Sequence, residues 1–378
     1  MTSAKYRPPE NRPRSKHTET EEWWKLRQPF LESRGYRLRP RYCPGWIPSW
    51  RVTGDDPDHR EDGVLPTNLE TMDATRISDG KVVIIKRFDT SFHPSEISIS
   101  TFLSLLQSDP ENHCVPVYDV LRDPFHKDLA MLVMPLLRRP DYPPFKSVGE
   151  ALECIRQLLV GLRFMHRHLV AHRDCTWTNV MMDASPMYPE SFHPQAQSRT
   201  PDLKGKAKHY NRTSHPVKYY FVNFGISVKY QSSDKPLAYP ALSDDTSVPE
   251  NKLNRPLDPF AVDVYIIGNL IRENFIKVSV LLLHASPTNM SIPLQKYCGL
   301  GFLKPFVQDL VETSPSERPT MDEVVPQYEQ LLENLHWYTL RKRLRKRKES
   351  PLLAPIRNVR HLFRAMSHFH TPSIPCAT

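Results

Sequence analysis

Between positions 148 and 170 the apolar residues Leu152, Ile155, Leu158, Leu159, Leu162, Met165 and Leu169 recur mostly at steps of three and four. That spacing lines one face of a helix and predicts a long core helix. Upstream the pattern changes to strand-like runs. Residues 72–77 and 81–88 flank Ser78-Asp79-Gly80 and read as a hairpin. Two further runs, 115–118 and 129–134, also read as strands, as does 217–222. Glu96, just after His93-Pro94-Ser95, is placed to begin a helix. From 21 to 50 large aromatics cluster: Trp23, Trp24, Phe30, Tyr36, Tyr42, Trp46 and Trp50. An amphipathic helix suits the first part, and prolines after Gly35 impose extended chain. Such a cluster can stack on bases. Packing onto the main domain is the better account, because large rings chiefly bring buried area.

Composition narrows the class. The 378 residues are 39% hydrophobic with a mean hydropathy of −0.51, as expected for a soluble globular protein with polar appendages. Proline is abundant (37) and glycine scarce (12), which points to stiff, irregular connections. No run of 18 or more apolar residues suggests a transmembrane helix. The N-terminus lacks the apolar core of a secretory signal. Six scattered cysteines without a C-x-x-C pair favour reduced thiols in a cytosolic or nuclear protein. Part of the net charge of +9 lies in 341–348, Arg-Lys-Arg-Leu-Arg-Lys-Arg-Lys. That run reads as a nuclear localisation signal, an anionic-surface contact or a solvated helix end. Residues 183–216, with Lys204, Lys206, Lys208 and Arg212, read as a solvated basic insertion.

The chemistry-bearing stretch is His172-Arg173-Asp174-Cys175-Thr176-Trp177-Thr178-Asn179, between the long helix and a short strand. An H-R-D-x-x-x-x-N string in that setting resembles the catalytic loop of eukaryotic protein kinases. Further landmarks occur in order. Ile84-Ile85-Lys86 resembles the V-A-I-K strand, Asn223-Phe224-Gly225 stands where D-F-G is expected, and Val248-Pro249-Glu250 resembles A-P-E. Asp263-Val264-Tyr265-Ile266-Ile267-Gly268 resembles the start of the family's central helix, and Ser316-Glu317-Arg318-Pro319 the late arginine that pairs with the A-P-E Glu. The resemblance covers roughly 64–335.

What the resemblance implies is an α+β, two-lobed fold with a small β-rich lobe, a larger mainly helical lobe and a nucleotide cleft between them. A basic disordered arm (1–20) and an aromatic, Pro-rich extension (21–63) would precede the kinase-like domain (64–335, insertion 183–216), and a basic tail (336–378) would follow. Asp174 would be the catalytic base, beside His172 and Arg173, with Arg173 taking a phosphate or an acid of the segment 226–247. Lys86 would anchor phosphate and pair with Glu96, with Met134 as gatekeeper and Leu136 in the hinge. Asn179 and Asn223 would hold Mg²⁺, and ATP would be the cofactor.

Four departures weaken that chemistry. Asn223 offers a neutral oxygen where the family has Asp, and hard cations favour charged oxygens. Ile84 replaces the usual Ala beside the adenine, and no glycine lies between Gly63 and Gly80 to build a phosphate loop. Thr176 stands where Ser/Thr kinases usually place a Lys. The expectation is a pseudokinase-like protein with weak ATP binding and a scaffolding role toward a protein partner, cytoplasmic or nuclear, without a membrane span or a nucleic-acid ligand. The alternative is an active Ser/Thr kinase using Mg-ATP.

Overall fold

The computed structural model describes residues 15–231, 236–241, 243–253, 255–276, 297–346, 349, 354–367 and 374. The chain falls into two compact units. The first comprises Met1–Gln107, Val115–Arg138 and Asp183–Tyr210, the second Ser108–Cys114, Arg139–Met182 and Asn211–Thr378. The architecture is α+β.

The first unit is built on a five-stranded antiparallel sheet. Its elements are α1 (Glu19–Ser33), β1 (Tyr36–Leu38), the short α2 (Ser49–Thr53), β2 (Thr71–Arg76), β3 (Val82–Asp89), α3 (Glu96–Leu105), β4 (Asp119–Arg122) and β5 (Leu129–Pro135). The strand order is β1-β2-β3-β5-β4. Thr18 caps α1 through a reciprocal bond pair with Glu21, so helix begins inside the stretch expected to be a free arm. Trp24 and Leu31 of α1, with Tyr36, Leu38 and Tyr42, pack on Met72, Ala74, Val83, Ile85, Leu121, Met131 and Val133 of the sheet. The aromatic extension therefore belongs to this core, and β1 is one of its strands. Arg27 of α1 forms a buried ion pair with Asp123.

The strand expected at 115–118 lies later, at β4. Pro116 has no N–H to give a ladder. Regular pairing with β5 begins at Asp119↔Val133. The insertion also differs from expectation. Lys204, Lys206 and Lys208 are exposed, whereas Met187, Tyr188, Phe192, His193 and Leu203 are buried. Arg138 is buried with its guanidinium 4.7 Å from the Tyr188 ring and 4.6 Å from that of Phe192, a cation–π sandwich.

The second unit is organised around α4 (Val148–Arg167), the long helix that the apolar spacing predicts. Ser147 caps it, accepting from the Glu150 N–H at 3.2 Å. Gly161 lets α4 press against His113, since a Cβ there would stand 2.5 Å from that residue's Cβ. Around α4 lie β6 (Val170–Ala171), β7 (Val180–Asp183), β8 (Lys218–Phe221), β9 (Val228–Lys229), α5 (Pro259–Ile271), β10 (Tyr297–Cys298), α6 (Lys304–Leu310), α7 (Met321–Glu333), α8 (Trp337–Arg341), β11 (Arg345–Lys346) and α9 (Ala354–Ser367). The Tyr328 hydroxyl donates to Leu152 O at 2.9 Å and ties α7 to α4. Arg212, expected in a solvated loop, is instead buried. Its guanidinium donates to Pro140 O (2.8 Å) and Pro143 O (2.7 Å) and sits over Phe145. Arg212 thereby satisfies both carbonyls, and an unmet buried acceptor is costly.

Candidate functional site

In the second unit the stretch 172–179 joins β6 to β7 and is held from beneath by Asp263 of α5. That carboxylate is fully buried and accepts from the His172 N–H at 2.7 Å, the Arg173 N–H at 2.6 Å and His166 Nε2 at 3.1 Å. Arg173 has φ 68°, a left-handed conformation. Such a conformation costs about 1–3 kcal/mol and persists only when its surroundings fix it. The Asp263 bond supplies part of that fixing. Asp263 is the clamp that the sequence reading did not assign, although its place at the head of α5 was the available signal.

His172 is buried and neutral. Its Nδ1 accepts from the Asp174 N–H at 3.2 Å, while Nε2 donates to Val222 O at 3.3 Å. Burial pushes the imidazole below its ordinary range. Among the described residues Arg173 has no hydrogen bond to an acid of the segment 226–247. Its guanidinium donates to the main-chain oxygens of Ile226 (3.2 Å) and Tyr239. Asp234, one of the acids of that segment, lies outside the described residues.

Asp174 is 7% exposed, and both of its oxygens are engaged within the chain. Oδ1 accepts from Ser243 Oγ at 2.7 Å and the Asp244 N–H at 3.1 Å. Oδ2 accepts from Asn179 Nδ2 at 2.6 Å. Burial raises the Asp174 carboxyl above its usual range, and the Ser243 hydrogen bond opposes that shift. Segment 243–247 is fastened further: Thr178 Oγ1 donates to Asp244 Oδ2 at 2.9 Å, and Asn269 Nδ2 to Asp245 Oδ2 at 2.6 Å. Ser243 was among the residues that sequence reasoning passed over.

The two expected metal ligands meet each other. Asn223, at φ 71°, donates from Nδ2 to Asn179 Oδ1 at 3.2 Å. The set is a poor one for a divalent cation. The Asn179 oxygen that would face the ion is bonded to an amide, and Asp174 brings the only carboxylate of the three. Among the described residues no group of three or more His, Cys, Asp or Glu is placed to hold a metal.

The first unit holds the other expected residues. Lys86 on β3 and Glu96 at the start of α3 form a salt bridge, with Glu96 only 1% exposed. Ile84 stands opposite Met134 in the β3–β5 register. Met134 packs on the small cluster of Phe88, Ala130 and Leu132. Leu136 is half-buried. Beyond it the insertion returns: Gln197 Nε2 donates to Leu137 O at 3.2 Å, and Arg138 Nη1 to Gln197 O at 2.6 Å. Gln195 bridges Asp73 (2.6 Å) and the Thr67 N–H (2.9 Å). The chain's own amide thus occupies a main-chain acceptor at the expected hinge.

Glu250 and Arg318 form a bidentate pair in the second unit, at 2.6 and 2.9 Å. Arg318 also donates to Glu312 O at 2.7 Å and Ala261 O at 2.9 Å. No family model matches the chain, and no curated protein matches it.

Proposed function

We propose that the chain is a protein-kinase-like protein whose phosphotransfer is impaired and which acts by binding a protein partner. The observation that carries this is the Asn223–Asn179 hydrogen bond of 3.2 Å. It gives the Asn179 oxygen an amide donor where a charged partner would otherwise call in a cation. Support for the kinase-like frame comes from each unit separately. The first brings Lys86 and Glu96 together beside an antiparallel sheet. The second brings His172, Asp174 and Asn179 onto one loop and pairs Glu250 with Arg318. The Gln197 amide on Leu137 O adds a reason for weak nucleotide binding. ATP and Mg²⁺ accordingly enter as weak ligands of this reading.

One contact favours a second reading, an active Ser/Thr kinase. The Ser243 hydroxyl donates to Asp174 at 2.7 Å, the reach a general base needs toward an acceptor hydroxyl. Phosphate transfer from ATP to a mixture of Ser/Thr peptides separates the two, with Mg²⁺ or Mn²⁺ present. Impairment predicts transfer at the level of an Asp174→Asn control. Strong transfer by the parent that this substitution abolishes would replace the first reading with the second.

A further inference from the structure

The chain holds 51 Lys and Arg and 42 Asp and Glu. Ten of the basic residues and one of the acidic, Glu349, fall within 341–367, leaving 41 of each elsewhere. The whole net charge of +9 therefore resides in this short piece of the second unit, and the rest of the chain is balanced.

The described part of that piece is not a free tail. Leu340 and Leu344 are buried. Leu344 N–H donates to Lys146 O and Val148 N–H to Lys342 O, both at 3.0 Å. Arg345 and Lys346 form β11 against β10. Residues 341–346 are thus laid along the start of α4, with Lys342 and Arg345 exposed. Positions 347 and 348 of the expected signal lie outside the described residues.

α9 sits beside this run in an unusual orientation. A helix of a globular protein turns its apolar stripe inward and its polar side to water. Here the described hydrogen bonds tie the helix to the protein through polar groups. Arg357 Nη1 donates to Glu349 Oε1 at 3.0 Å, Arg343 Nε to Asn358 Oδ1 at 2.8 Å, and His361 Nε2 to Arg341 O at 2.7 Å. The large apolar side chains face out: Ile356 is 54% exposed, Val359 53%, Leu362 59% and Phe363 68%. At 3.6 residues per turn these four share an arc of about 120° on a helix about 21 Å long. Arg357 and His361 fall on the other side. Residues 354–367 contain three arginines and no acid.

We propose that α9, with the adjoining residues 341–346, is a docking site for an anionic lipid surface. An interfacial helix buries its apolar face roughly 5–10 Å into the headgroup boundary while its basic residues stay at phosphate level. Stable peripheral binding takes two signals, and this site has both an apolar face and a polybasic patch. A second copy is disfavoured, because it would bring two faces of the same sign together. Nucleic acid would satisfy the charge but leave Ile356, Val359, Leu362 and Phe363 in water. The site docks on a membrane and does not cross it, as no helix among the described residues is long and apolar enough to span one.

The test is co-sedimentation of the full chain with vesicles of phosphatidylcholine alone or with phosphatidylserine added. Binding is expected only with phosphatidylserine and should weaken as salt rises. The double variant Leu362→Asp/Phe363→Asp and the charge variant Lys342→Glu/Arg345→Glu alter exposed positions, so both should melt with the parent. Each should weaken binding by about tenfold or more. Binding that ignores Leu362→Asp/Phe363→Asp overturns the proposal, as does equal binding to uncharged vesicles or none to either. Retention on duplex DNA that follows the charge variant alone, without vesicle binding, would assign the patch to nucleic acid instead.

Discussion

Asn223 and Arg318 show how much a single side chain decides here. At 223 an amide and a carboxylate differ by an NH₂ donor group in place of an oxygen, and by one charge. The amide donates to Asn179, whereas a carboxylate would set two acceptors face to face until a cation came between them. Arg318 gathers its partners around a buried charge: Glu250 twice, three main-chain oxygens and the face of Tyr265 at 4.8 Å. Removing it strands Glu250, which is 4% exposed. Arg318→Ala should therefore lower unfolding free energy by about 3–5 kcal/mol in a denaturant titration. A loss below about 1 kcal/mol, the level of a surface pair, would mean this bond does not organise the second unit.

Elements were legible in proportion to the length of their pattern. Six of the seven apolar residues in the series, Leu152 to Met165, lie within α4 over about four turns and leave little choice. The 72–88 hairpin carries both its strands and its turn residues. The 115–118 run failed because four apolar residues cannot say where pairing starts, and Pro116 moved it to β4. α1 suits an amphipathic pattern in its first part, but its packing was not legible, since its buried face mixes Trp24 and Leu31 with Glu21, Arg27 and Gln28. Two of those polar groups have partners distant in sequence, Asp123 for Arg27 and Arg41 for Glu21. If α1 is integral to the sheet's core, Trp24→Ala should cost about 3–5 kcal/mol. Chemical denaturation of a chain lacking residues 1–34 offers the stricter comparison. A truncated chain as stable as the parent would return α1 to the status of an appendage.

Across the whole molecule, buried histidines contribute to the response to acid. Burial pushes His113 down to about 3 in the second unit and His193 down to about 4 in the first. His172 moves the same way. The folded state holds these rings neutral, while an unfolded ring takes a proton near pH 6.5. Their contribution is therefore complete above about pH 6.5 and falls as pH drops below it, by about 1.4 kcal/mol per unit for each ring. Asp174 and Glu61, raised chiefly by burial, act in the opposite sense and lose stability as pH rises through their folded values. His113→Asn keeps a donor for Tyr219 O, now met by Nδ1 at 2.8 Å, and removes one titration. Its unfolding free energy between pH 6.5 and 5 should slope less steeply than the parent's by about 1.4 kcal/mol per unit. Equal slopes would show that His113 is protonated when folded.

The candidate site was legible as a set of residue types and not as a set of contacts. The loop 172–179, Lys86 with Glu96 and Glu250 with Arg318 follow from motif and spacing. The partners that close the site come from far along the chain, as Ser243 does to Asp174 and Gln197 to Leu137 O. Neither has a local pattern, because a single hydroxyl or amide acquires meaning only through the fold.

The most direct test of the Asn223 account is thermal melting of the parent and of Asn223→Asp, each with ATP in EDTA and with ATP plus Mg²⁺. Binding raises apparent stability by mass action, about 2.7 kcal/mol at a hundredfold excess over Kd. The parent should melt at the same temperature with and without Mg²⁺. Asn223→Asp should melt lower than the parent in EDTA, where its carboxylate opposes Asn179, and recover when Mg²⁺ and ATP are added together. A parent that is itself stabilised by Mg²⁺ with ATP as strongly as the variant would contradict the account.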